Sequence, residues 1–494
     1  MTTPTTTCRA SDAVTNLWTK LGLPAVLTER VRLVSAPDKL VHEDLMSSSS
    51  SSSFVLYLPT VVLRSRHNPA FCLACHFANH FNVPLLVLST VLDDAHHNIA
   101  PKVAVDNALN INTNDSYNDD EHRGQQRQAE TCSNNPIPIV GTARRLCFQL
   151  QVLQKASQEW QAHGAEVAIR VHCGPSSRRP HHLTLARQAA ITVTDEPFVH
   201  PYRSYMQSIA KAAQICLCLD GSTTVPPLLK LRAEPDGTFT GVPPKAWMWK
   251  KKISSDLERH VKAIVEHGAL EAPPLNVRLQ PTSSLAWHDD KHVLHRFFPK
   301  EWKDFSLKAP SERAWTVEEL CAIDPVSWAM ESCPGIDTTV PPCRQTHGAN
   351  GWQRWKNFQQ NHLSSYQYNR NNIRVPHAVS RLSCYLNVGA ISIFQIVHEL
   401  WQDQRNTDKF QDEIIKWREI SHAHALGTPN YFHETALPPW SHEYLQRHEA
   451  TNYPDVFSLL ALCNSQTTDP TWNAMQKYLR ETGELHNNAR MTWG

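Results

Sequence analysis

Five short apolar, β-branched runs occur before residue 220, and none of comparable character follows. They are Phe54-Val55-Leu56-Tyr57-Leu58 and residues 83–88, 167–171, 190–194 and 215–219. Each has the length of a strand and is continuously apolar, so each reads as a strand buried on both faces. Helical patterns separate them. The clearest is Leu146, Leu150, Leu153 and Trp160, which fall on one face of a helix. Strands alternating with helices predict a parallel, doubly wound α/β sheet. Such a sheet can bind a nucleotide-like ligand at its switch point, although no G-x-G-x-x-G is present.

The pattern changes after residue 283. Helical stretches dominate at 391–401, 410–422, 440–448 and 472–482, and Asp469-Pro470 suits the start of the last one. This half reads as all-α. The serine run 47–53 and the Asn/Asp/Gln-rich segment 107–136 hold too few large apolar groups to offset chain entropy, so both read as unstructured. The expected organisation is a weakly structured start over 1–52 and an α/β domain over 53–222 carrying the 107–136 insert. A connector over 223–282 and a helical domain over 283–494 come after it. Within the connector, Lys245, Lys250, Lys251 and Lys252 interleave with Trp247 and Trp249. Such a cluster can grip phosphates and bases. It reads equally well as a solvated helix face with packed tryptophans.

Composition narrows the function classes. With 494 residues, two or three domains are expected. The net charge of +1 excludes a global polycation, so nucleic acid would need a local basic patch. No run of 18 apolar residues is present, which predicts no membrane helix, and residues 1–7 lack the regions of a secretory signal. The 13 cysteines at irregular spacings read as reduced thiols of an intracellular protein. Cys72-Leu73-Ala74-Cys75-His76 fits a haem-attachment pattern but sits inside an amphipathic run, which favours packing. No metal is expected.

Composition stops short of a reaction, and a resemblance carries the reading further. Residues 380–392, SRLSCYLNVGAIS, resemble S-x-L-S-x-Y-L-x-x-G-x-x-S. Tyr366 with Arg370-Asn371 resembles Y-x-x-x-R-N, and Phe410, Glu413, Arg418 and Glu419 resemble a helix F-x-x-E…R-E. Trp472-Asn473-Ala474-Met475-Gln476 resembles W-N-A-x-Q, and residues 483–493 resemble G-x-(M/L)-H-N-x-x-R-M-x-W. Arg64, Asn68 and Ala70 more faintly match R-x-x-x-N-x-A. These five ordered motifs and the fainter sixth resemble the photolyase/cryptochrome family over residues 54–494, most strongly after 360. The last two motifs are closest to class II cyclobutane pyrimidine dimer photolyases and divergent photolyase-like proteins. Cys384 and Asn387 stand where Pro and His are commoner, and His486-Asn487-Asn488 departs from the usual class II run.

The resemblance implies FAD as cofactor, held by Tyr366, Ser380, Arg381, Leu382, Ser383, Phe410 and Arg490, and allows for a second, antenna chromophore. It implies UV-damaged DNA as partner, met by Glu413, Trp417, Arg418, Asn487 and Asn488, with Lys250, Lys251 and Lys252 on phosphates. Trp472 and Trp493 would relay electrons, and Glu413 and Asn487 would act beside flavin and lesion. Read without the family, Ser380 is an N-cap, the 410–420 run is an ordinary Glu–Arg face, and the two tryptophans are core aromatics. The family's acidic flavin loop would lie past Gly494, so the flavin domain is expected to be incomplete. The implied activity is that of a light-driven deoxyribodipyrimidine photo-lyase. The alternative is a cryptochrome-like blue-light photoreceptor or a photolyase-like protein without repair activity. A monomer in the nucleus is expected, with a plastid as the other compartment.

Overall fold

The computed structural model describes residues 18–34, 54–91, 141–171, 181–200, 202–234, 238–278, 314–331, 336–428, 431, 433, 436–449 and 456–493. The serine run, the 107–136 insert and the 283–313 stretch lie outside the described residues, as does the side chain of Trp493.

All five expected strands form: β2 (Val55–Leu58), β3 (Leu85–Val91), β4 (Glu166–Val171), β5 (Ile191–Asp195) and β6 (Cys216–Leu219). They pair in parallel. A sixth strand, β1 (Val31–Leu33), adds antiparallel to β6, giving the order β1-β6-β5-β2-β3-β4. This corrects the reading of 1–52 for residues 18–34, where Trp18, Val26 and Leu27 are buried in the core. Three residues of a half-buried edge strand carry too little pattern to be read in advance. Chain order runs outward from β2 through β3 and β4, then returns to β5 on the other side of β2. The switch point therefore lies between β2 and β5.

Local chemistry fixes the helices around this sheet. Pro69–Phe81 starts with Asn68 accepting from the Phe71 N–H and Pro69 in the first turn, and ends at Asn82 in the left-handed region. Its Cys72 and Cys75 are buried against the sheet, and burial pushes the Cys72 thiol up to about 12. Ala143–Ala162 buries the predicted Leu146, Leu150, Leu153 and Trp160 face.

The connector is a packed element rather than a loop. Helix Ala246–Val265 buries Trp249, Ile253, Val261 and Ile264 and packs on both Ile393–Gln402 and Asp412–Trp417. The helical half is built from Gly351–Asn361, Ile393–Gln402, Asp408–Gly427, Pro439–Glu449, Pro470–Thr482 and Asn487–Trp493. An aromatic cluster of Trp355, Phe358, Tyr366 and Phe410 lies at its centre, with ring centroids 5.1–6.3 Å apart. Asp469 caps the Pro470–Thr482 helix through the Thr471 and Trp472 N–H groups, and Gly483 closes it in the left-handed region.

A buried arginine bridges the two halves. Arg64 donates to the carbonyls of Arg66, His67 and Gly221 and, across the junction, to Gly389. Gly389 has φ +61°, and a Cβ there would stand 2.5 Å from the Val61 carbonyl oxygen. Only glycine allows both that backbone conformation and that approach. The Leu63 N–H bonds the Val388 carbonyl, and Ser392 both caps the Ile393–Gln402 helix and meets His67. Half of the 380–392 motif is thus a docking element.

Candidate functional site

The loops that leave the C-terminal ends of β2, β5 and β6 face the helical half across a cavity of ≈ 650 Å³. Thr60 and Val61 after β2, Phe198 and His200 after β5, and Ser222 after β6 form one wall. Tyr366, Ser380, Leu382, Ser383, Phe410, Glu413 and Arg418 form the other. The β2 loop is shaped by Asp195 at the end of β5. Its carboxylate accepts from the N–H groups of Thr60, Val61 and Val62 at 2.7–2.9 Å and from the Tyr57 hydroxyl at 3.0 Å. Burial nevertheless raises its pKa above the usual carboxylate range.

A second cavity of ≈ 1020 Å³ shares Arg145, Tyr366, Ser380, Leu382, Ser383, Asn387, Val388 and Glu413 with the first. It extends to Arg370, Arg381, Glu484, Asn487 and Arg490. The two form one bilobed cleft. One lobe is mid-range for a small-molecule site and the other just exceeds that range, so together they have room for a dinucleotide.

The fold therefore gathers most of the motif residues. Tyr366 is buried, and desolvation followed by the Glu413 charge pushes its phenol up to about 12, so it stays a donor at neutral pH. Ser380 and Ser383 both face the cleft, but they do not share a helix start. Arg381, at φ +54°, reverses the chain between them, and the helix Ser383–Asn387 begins only afterwards. The hydroxyls converge through that reversal rather than through helical spacing. Arg381 pairs with Glu484 at 3.0 Å, and Arg490 donates to Asn487 at 2.9 Å.

Glu413 stands where the lobes join, held by Lys409 at 2.7 Å and Arg370 at 3.4 Å. Its helix is not regular. Residues Asp412–Trp417 form a π-helical turn, a distortion common at functional sites. The extra residue in that turn rotates the side chains C-terminal to it. Trp417 is 51% exposed and outside the cavity lining, whereas Arg418 turns inward and donates to the Ser222 carbonyl at 2.7 Å. Burial lowers the Arg418 guanidinium from its ordinary value and holds His422, beside it, down to about 3, so His422 is neutral.

Other motif residues lie elsewhere. Trp472 is half-buried on its helix and does not line the cleft, although Thr471 and Met475 do. Asn488 is exposed and donates to the Asn371 carbonyl. Lys250 pairs with Asp412 at 2.7 Å, Lys252 donates to the Gly241 carbonyl, and Lys251 is exposed. The residues that sequence reasoning missed are those of the α/β half: Thr60, Val61, Arg145, Phe198, His200 and Ser222. The signal was available in part, because loops after parallel strands at a switch point are where ligands bind.

A doubly wound sheet whose switch point opens onto a helical half, with a bilobed cleft between, is the two-part architecture of this chain. No protein-family model matches the chain. Its sequence is 30% identical over 135 residues to a deoxyribodipyrimidine photo-lyase of Oryza sativa subsp. japonica, covering 26% of this chain and 27% of that protein. It is 27% identical over 212 residues to one of Arabidopsis thaliana, covering 40% and 42%. The chain spans less than half the length of either relative. Among solved structures, a class III photolyase from Agrobacterium tumefaciens superposes with a TM-score of 0.48 at 17% identity, covering 90% of this chain and 73% of that one. Its ordered motifs and these sequence matches make the chain similar to members of the photolyase/cryptochrome family.

Proposed function

We propose that this protein is a light-driven, FAD-dependent DNA photolyase of the class II type that repairs cyclobutane pyrimidine dimers. One observation carries the reading: Tyr366, Ser380, Leu382, Ser383, Phe410, Glu413, Asn487 and Arg490, drawn from four separate motifs, line one bilobed cleft. The residues fit the cofactor. Neither the Ser380 nor the Ser383 side chain has a described hydrogen-bond partner, so both hydroxyls are free to donate to a pyrophosphate. From the α/β half, Arg145 brings a buried Nε with no partner among the described residues to the same cleft. Reduced flavin, once bound, supplies on excitation by blue light the electron that splits the dimer. The protein's part is to position and to polarise. Tyr366 offers a phenolic hydrogen, and the apolar Phe198, Leu382 and Phe410 with the neutral His422 line the smaller lobe beside it. Glu413, oriented by Lys409 and Arg370, presents a carboxylate that can accept from a base extruded into the cleft.

A second reading, a cryptochrome-like photoreceptor, is favoured by Trp417 pointing to solvent and by Arg418 being committed to Ser222. The experiment is an absorption spectrum of the purified full chain mixed with FAD, followed by repair of a dimer-containing oligonucleotide under blue light. Bound flavin with repair is the expected result. Bound flavin without repair selects the photoreceptor, and no bound flavin overturns both.

A further inference from the structure

Among the described residues, six arginines line the cleft, and five are committed. Arg144 donates to the Pro341, Leu479 and Arg480 carbonyls. Arg370 holds Glu413, Arg381 holds Glu484, Arg418 holds the Ser222 carbonyl, and Arg490 holds Asn487. Arg145 alone has no side-chain partner among the described residues, and its Nε is buried without a hydrogen bond. It is also the one arginine that lines both lobes. An unpaired buried N–H of a guanidinium is costly and calls for a partner, which in a cleft a ligand can supply.

The surroundings say which ligand. Arg145 sits in the first turn of the 20-residue helix Ala143–Ala162, whose N-terminal end carries partial positive charge. The backbone N–H groups of that turn are already used, by the Asp337 and Val340 carbonyls and the Thr142 hydroxyl. The guanidinium is therefore the donor this end has to offer. Across the cleft, on the helical wall, stand Ser380 and Ser383 with free hydroxyls and Asn387, itself exposed. The carboxylate that lines both lobes, Glu413, is already held by two cations. A fork of N–H donors, two hydroxyls and no unpaired carboxylate suit a doubly anionic group.

We infer that Arg145, reaching from the α/β half, is the anchor for the pyrophosphate of a dinucleotide bound in the cleft, with Ser380 and Ser383 closing the site from the helical half. This rests on the flavin reading above, but it adds that cofactor binding ties the two halves together through one charge.

The test uses the full chain, with FAD, riboflavin, ADP and inorganic pyrophosphate as probes in fluorescence quenching and calorimetry. Arg145→Gln should weaken FAD and ADP by roughly ten- to a hundredfold, the range for losing a charge-assisted pair. It should leave riboflavin, which has no phosphate, unchanged. Arg145→Lys should recover part of the loss. Because Arg145 has no partner to lose, both variants should unfold at the parent's urea midpoint, and a shifted midpoint with equal loss of riboflavin would overturn the inference. If Arg145→Gln binds FAD and ADP as the parent does, the anchor is wrong and the flavin reading stands. If the parent binds ADP and pyrophosphate but neither flavin, and Arg145→Gln loses them, the anchor stands and the flavin reading falls. A parent that binds none of the four overturns both.

Discussion

Glu419 should make this protein less stable as pH rises from about 4.5 to 7, and Glu419→Gln should abolish that dependence. The side chain is fully buried behind the cleft, next to Arg418. One oxygen accepts from the Thr224 N–H at 2.7 Å and the Thr224 hydroxyl at 2.6 Å, and the other is buried without a partner. Burial is the largest influence and raises its pKa from an ordinary 4.5 to about 7, against the pull of Thr224 and Arg418 and with help from Asp220. The sign comes from proton counting. Between about 4.5 and 7 the folded state holds a proton that the unfolded chain has released, so stability falls across that window and is flat above it. The rise corresponds to about 3 kcal/mol. Glutamine is close to an isostere of the protonated acid. It can keep the Thr224 bonds through its carbonyl and cannot ionise. Urea unfolding of parent and variant at pH 5 and pH 8 reads the effect. The variant should be more stable by only about 1 kcal/mol at pH 5 and by about 3 kcal/mol at pH 8. Curves that stay parallel across the range would show that the carboxylate is ionised in the fold and that Arg418 and Arg30, not burial, govern it.

Arg64→Ala would leave the Gly389, Gly221, His67 and Arg66 carbonyls without their donor and should cost about 3–5 kcal/mol, with a lower urea slope if the halves then unfold separately. Changing Lys250, Lys251 and Lys252 together to Ala should weaken DNA binding and flatten its dependence on salt by a slope of about one to three, read from titrations at several salt concentrations. An unchanged slope places that helix off the DNA surface. Trp472→Phe and Trp493→Phe should each slow photoreduction of bound flavin under blue light with a reductant, measured by transient absorption. Parent-like rates would make these tryptophans packing residues. Gly389→Ala should fail to fold stably, because its Cβ would meet the Val61 carbonyl oxygen at 2.5 Å and the Val62 Cα at 2.6 Å. A parent-like melt would mean that the halves are free to shift apart.

The sequence by itself determined the layers. Burial on both faces makes a parallel strand a continuous apolar run, so all five parallel strands were legible, and an amphipathic stripe did the same for the Ala143–Ala162 helix. The cap at Asp469-Pro470 was local chemistry and was equally readable. The motifs around Tyr366, Ser380 and Glu413 named one wall of the cleft. Only tertiary structure decided the rest, because those features depend on partners remote in the chain. Strand β1 takes its place from β6, and the connector helix from the Ile393–Gln402 helix it packs on. The π-helical turn that sends Trp417 outward and Arg418 inward reflects packing of that helix against its neighbours, where no spacing rule of a regular helix applies. Arg145 is the sharpest case. In the sequence it is one of two adjacent arginines, and nothing local separates them. The fold gives Arg144 three carbonyls from distant segments and leaves Arg145 facing the cleft alone.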